Sequence, residues 1–204
     1  MENLLTLFAE TEIFVFVFME IMAKLDITQA VILRKASWFN TAIFILVFGG
    51  FSIFGTYIGI TLPSGAISNI RDLAPIVAGL SAGPVVGLLV GLIGGIHRFF
   101  LGGFTAIPCG LSTILAGLIS GGIYMLNKRK LIGIIPGMLV AVLIECVHGG
   151  MTLLIARPFA DAIEVIKTAI PAMMIANGLG VAISVIIIHH NIEVEARKVI
   201  VENE

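Results

Sequence analysis

Apolar runs about as long as a bilayer core is thick follow one another along most of this chain, and charged residues gather mainly between them. About 20 apolar residues carry a helix across the hydrocarbon layer, where each backbone polar group must find its partner within the protein. The runs cover residues 4–23, 38–62, 104–126, 131–156 and 165–189. A more broken stretch, residues 71–103, contains Gly83-Pro84. Proline suits a first helical turn and not a helix interior, so this stretch reads as two helices, 73–81 and 84–100. The expected fold is all-α: a polytopic transmembrane bundle of six to seven helices with a Gly-Pro break near Pro84.

Composition excludes the other broad classes. Of 204 residues, 58% are hydrophobic and 12% charged, about half the charged share of a soluble domain. A net charge of −1 offers no basic field for nucleic acid. Cys109 and Cys146 lie in apolar stretches and form neither a disulfide framework nor a metal-type spacing. The N-terminus lacks a basic flank, and Glu10, Glu12 and Glu20 interrupt the first run. It reads as a retained helix and not as a cleaved leader. No phosphate loop, nucleophile elbow or kinase signature is present, so no catalytic residue, cofactor or metal is expected.

Lysine and arginine orient the bundle. With the break at Pro84 and the N-terminus outside, Lys24, Arg34, Lys35, Lys128, Arg129, Lys130, Arg197 and Lys198 share the cytoplasmic side. Arg71, Arg98, Arg157 and Lys167 lie opposite, an eight-to-four split in the expected sense. A single span over 71–103 gives six to six. The chain is expected in the plasma membrane with a cytoplasmic C-terminus. Gly79, Gly83, Gly87, Gly91 and Gly95 recur every fourth residue, as close helix packing requires.

Ionisable and polar residues within a bilayer are costly and turn towards the bundle interior. Here they are Arg71, Asp72, His97, Arg98, Cys109, Ser112, Thr113, Glu145, His148 and Asn177. Arginine offers a permanently charged fork suited to a carboxylate, so Arg71 and Arg98 come first. Snorkelling to the interface, or pairing of Arg71 with Asp72 or Glu145, explains them equally well. Cys109 and Ser112 share a helix face, although a buried cysteine commonly acts as a small hydrophobe. Glu145 and His148 are three apart and make an incomplete metal site. Asn177 suits a bond to another helix.

The run Asn69-Ile70-Arg71, Ala78-Gly79, Gly83-Pro84, Gly87, Gly91, His97-Arg98, Gly102-Gly103-Phe104-Thr105-Ala106 and Cys109 resembles the membrane sensor region of LytS-YhcK-type receptors. Glu145-x-x-His148 and Asn177-x-Gly add to it. The resemblance covers residues 48 to the C-terminus. It implies a membrane receptor module of a two-component-type system, with residues 1–190 as transmembrane sensor and 191–204 as the start of a cytoplasmic signalling helix. Family members join this module to a GAF domain and histidine kinase, or to a diguanylate cyclase, and some are pyruvate receptors. By resemblance, Arg71, Arg98, Cys109 and Ser112 hold a small carboxylate such as pyruvate, with Asn69 and Thr105 beside them. His97, Glu145, His148 and Asn177 stand behind. The sequence ends where the family's output domain would begin. That suits an excised sensor module or a stand-alone protein acting through a partner. Ile192, Ala196 and Val199 lie at i, i+4 and i+7, as in a helix that pairs with a second copy, so a homodimer is expected. The alternative is a substrate-binding component of a transporter, since broken helices also serve that purpose.

Overall fold

The computed structural model of the chain describes residues 2–61 and 67–202. Its helices are α1 (Glu2–Lys24), α2 (Asp26–Ile32), α3 (Trp38–Tyr57), α4 (Leu73–Ala82), α5 (Pro84–Phe100), α6 (Ala106–Leu126), α7 (Ile134–Ile155) and α8 (Phe159–Glu202). Two short strands, β1 (Ile60–Thr61) and β2 (Ile67–Ser68), pair antiparallel after α3. Residues 62–66 lie outside the described residues, and the two strands that flank them form a small clip. The charged linker after the first run folds as α2, and seven helices remain to build the bundle.

Local chemistry sets the helix ends. Ser37 accepts a hydrogen bond from the Asn40 amide at 3.2 Å and opens α3. Gly83 has φ of 97°, a conformation glycine adopts without strain, and Pro84 occupies the first turn of α5. The chain therefore reverses there, and α4 and α5 form the expected hairpin. Helices α3, α6, α7 and α8 are long and apolar enough to cross a membrane, while α4 and α5 are shorter and apolar.

Two kinds of contact hold the bundle. Aromatic rings join α1 to α3, with Phe18 stacked on Phe51 at 3.9 Å. Glycines join the α4–α5 hairpin to α6. A Cβ on Gly117 would lie 1.9 Å from the Gly87 carbonyl oxygen, and one on Gly79 would lie 2.6 Å from that of Gly117. Backbone rests on backbone along this seam. In lipid, where apolar side chains gain little by leaving solvent, such close packing drives association.

Helix α8 runs unbroken for 44 residues, with Pro171 inside it. It begins beside the end of α7 and returns to the end of the bundle where α1 finishes. There a cavity of about 330 Å³ is lined by Glu20, Lys24, Gln29, His190 and Glu195. Lys128, Arg129 and Lys130 follow α6 at this same end, and Arg71, Arg98 and Arg157 lie at the other. Ile192 packs against the chain's own core. The side chains of Ala196 and Val199 lie outside the described ones.

Candidate functional site

The hairpin brings the two arginines to one region. Arg71 precedes α4, and its amide donates to Asn69 Oδ1 at 3.1 Å. Its carbonyl accepts from Ser52 Oγ of α3 at 3.0 Å. The side chain is fully buried and points at α6, where Nε donates to Thr113 Oγ1 at 2.7 Å. Arg98 ends α5 and reaches the start of α6. There Nη1 donates to the Gly102 carbonyl at 2.7 Å and Nη2 to Thr105 Oγ1 at 2.9 Å. Thr105 occupies the N-cap position of α6, yet its hydroxyl serves Arg98 and not the helix.

Thr105, Cys109 and Thr113 are spaced by four along α6 and so lie on one face. Arg98 binds the first and Arg71 the last, and Cys109 stands one turn from each. Both guanidinium groups interact electrostatically with Cys109 and with each other. Two like charges so placed within a bilayer repel, and an anion between them relieves the cost.

Behind Cys109 lies a polar network. Its Sγ is 3.2 Å from His148 Nε2 of α7. The other ring nitrogen, Nδ1, is 3.2 Å from Glu145 Oε2 and 3.3 Å from Asp72 Oδ2. Asp72 Oδ1 takes the Thr113 hydroxyl at 2.5 Å and lies 3.6 Å from Arg71 Nε. Asn177 of α8 donates to Glu145 Oε1 at 2.8 Å. Arg71 thus has an acidic neighbour, but only through Nε. Arg98 pairs with no carboxylate among the described residues.

At the centre, Arg71 Nη1 and Nη2, Arg98 Nε, Ser112 Oγ, Asp72 Oδ2 and Asn177 Oδ1 are buried without a hydrogen-bond partner. Each such group costs about 1–3 kcal/mol when left unsatisfied, and more when charged. Three of these are guanidinium donors of the two arginines that act on Cys109, the kind of lining an anion needs.

The expected site residues divide accordingly. Arg71, Arg98 and Cys109 act on one another, and Ser112 is buried on α6 three residues from Cys109. Asn69 and Thr105 position the arginines, by a backbone bond and a side-chain bond respectively. Glu145 and His148 stand behind Cys109, and Asn177 binds another helix, as its setting suggested. His97 turns aside to α3, with Tyr57 Oη 3.1 Å from its Nε2. Thr113 and Asp72 hold a central place that their intramembrane position alone did not reveal. Asp72, Glu145 and His148 each offer an atom within 4.8 Å of the others and could serve a divalent cation. The Arg71 charge beside Asp72, and the bonds from Thr113, Asn177 and His148, occupy those carboxylates instead. We read the group as a charge network.

A helix bundle that spans a membrane and gathers its buried charges at one end is a multi-pass membrane protein built around a polar centre. The family described as 5TMR of 5TMR-LYT matches residues 25–191. The sensor histidine kinase BtsS of Escherichia coli K12 is 38% identical over 143 residues, covering 68% of this chain and 25% of that protein. The sensor protein LytS of Bacillus subtilis 168 is 32% identical over 177 residues, covering 78% of this chain and 30% of that protein. The sensor histidine kinase YpdA of Escherichia coli K12 is 42% identical over 98 residues, covering 46% of this chain and 17% of that protein. No solved structure matches. The chain belongs to the 5TMR-LYT family and is a transmembrane sensor domain. It spans about a quarter to three tenths of the length of the BtsS and LytS relatives.

Proposed function

We propose that this sensor domain binds a small carboxylate, pyruvate in the first place, and signals through α8 to a histidine kinase output. One observation carries the reading: both Nη groups of Arg71 are wholly buried and without an acceptor. A carboxylate there takes their hydrogen bonds and shields Arg71 from Arg98. Ser112 and Cys109 then border the rest of the ligand.

The centre is closed, so the ligand enters a more open state and favours the closed one by its contacts. Glu145 and Asn177 link the centre to α8. The C-terminus lies in the cytoplasm, where two copies of α8 pair. The transporter reading is less well supported. The turn at Gly83 packs near Tyr124, far along α6 from Thr113, so the helix ends it creates do not face the arginines.

Calorimetry of pyruvate with the purified chain tests the site. Arg71→Ala and Arg98→Ala are each expected to weaken binding by about a hundredfold, since each removes a charged hydrogen-bonding partner. Unchanged affinity in both variants overturns the proposal.

A further inference from the structure

Resting on that carboxylate site, we infer that Cys109 forms a reversible covalent bond to the ligand, which makes the site selective for 2-oxo carboxylates over carboxylates at large. The geometry is that of an activated nucleophile. Cys109 Sγ lies 3.2 Å from His148 Nε2. The far side of the same ring faces Glu145 Oε2 at 3.2 Å and Asp72 Oδ2 at 3.3 Å. Thiol, imidazole and carboxylate in series let the ring take the thiol proton while the acids hold its orientation.

The surrounding atoms define the electrophile. Arg71 Nη1 and Nη2 await a carboxylate. Ser112 Oγ, also buried and unpartnered, lies three residues from Cys109 on the same face of α6. A site that only had to hold a carboxylate needs no thiol and base beside it. A carboxylate whose next carbon is a ketone uses every part.

In the step, His148 Nε2 takes the Cys109 proton and the sulfur adds to the keto carbon. A carbon–sulfur bond forms as the carbon–oxygen π bond breaks, and that electron pair moves to oxygen. The oxygen then takes the proton back from His148. Nothing is oxidised, reduced or expelled, and the reverse path releases the ligand. The tetrahedral adduct presents its new hydroxyl to Ser112 Oγ. Acetate and lactate have no ketone and bind only through the carboxylate.

Carbon-13 NMR of the full chain in detergent with [2-13C]pyruvate decides. The expected result is a protein-dependent resonance of a tetrahedral carbon bearing sulfur and oxygen. Cys109→Ser loses it, binds pyruvate about tenfold more weakly or worse, and no longer prefers pyruvate to lactate. Saturable pyruvate binding with the labelled carbon still in the ketone region overturns the covalent bond and leaves the carboxylate site standing. Absence of saturable binding overturns both. If Cys109→Ser does not fold, competition on the unaltered chain decides: equal affinities for lactate and pyruvate overturn the bond.

Discussion

At the scale of single residues, Thr113 sets the geometry of the centre. Its hydroxyl accepts from Arg71 Nε and can donate to Asp72 Oδ1 or to the Cys109 carbonyl. Thr113→Val keeps the shape and removes both roles, leaving a buried arginine donor bare. We expect a loss of about 1–3 kcal/mol in stability, read as a lower unfolding temperature in detergent, together with weaker pyruvate binding. Thr113→Ser is expected to restore both. The sequence marks Arg71 and Arg98 because charged groups stand out in apolar helices, and it marks Cys109 and Ser112 through the family resemblance. Thr113 stands among the polar residues of the membrane segments with no role assigned to it. A membrane threonine commonly bonds to its own helix backbone, and Thr113 has that bond too. Its service to Arg71 depends on α4 meeting α6, a contact 42 residues apart.

Among the helices, the tightest junction joins α5 to α6. Gly117→Val is expected to push them apart, since even its Cβ would strike the Gly87 carbonyl at 1.9 Å. Size-exclusion chromatography should show aggregated or unfolded protein, whereas Gly122→Ala, open to its surroundings, should behave as the parent. The hairpin was legible because Gly-Pro is a strong local stop. The reach of α8 was not. The apolar run begins at residue 165 and the signalling helix is expected from 191, yet α8 starts already at Phe159 and joins both without a break. Asn177 joins α8 to the centre through Glu145. Asn177→Leu is therefore expected to leave pyruvate affinity within about threefold while uncoupling α8 from it. Spin labels at Lys128→Cys and Val194→Cys, with Cys146 replaced by serine, should report a pyruvate-dependent distance that the Asn177→Leu variant lacks.

For the molecule as a whole, the two ends differ in charge. Lys24, Arg34, Lys35, Lys128, Arg129 and Lys130 mark one, and Arg71, Arg98 and Arg157 the other. By the positive-inside tendency we propose that the first end faces the cytoplasm. A single cysteine at Lys130 should resist a membrane-impermeant maleimide added to intact cells, and one at Arg157 should react. The opposite pattern would invert the proposed orientation.

The unbroken α8 has a mechanical consequence. At about 1.5 Å per residue its 44 residues span roughly 66 Å, and Asn177 sits about 37 Å from the far end. A rod tethered there acts as a lever: a tilt of about 5° at the tether sweeps the distal tip by roughly 3 Å. Pro171, one of the features that lets a helix bend, lies on the short arm. If the proposed anion site sets that tilt, its effect reaches the opposite face of the membrane as a displacement the size of a side chain.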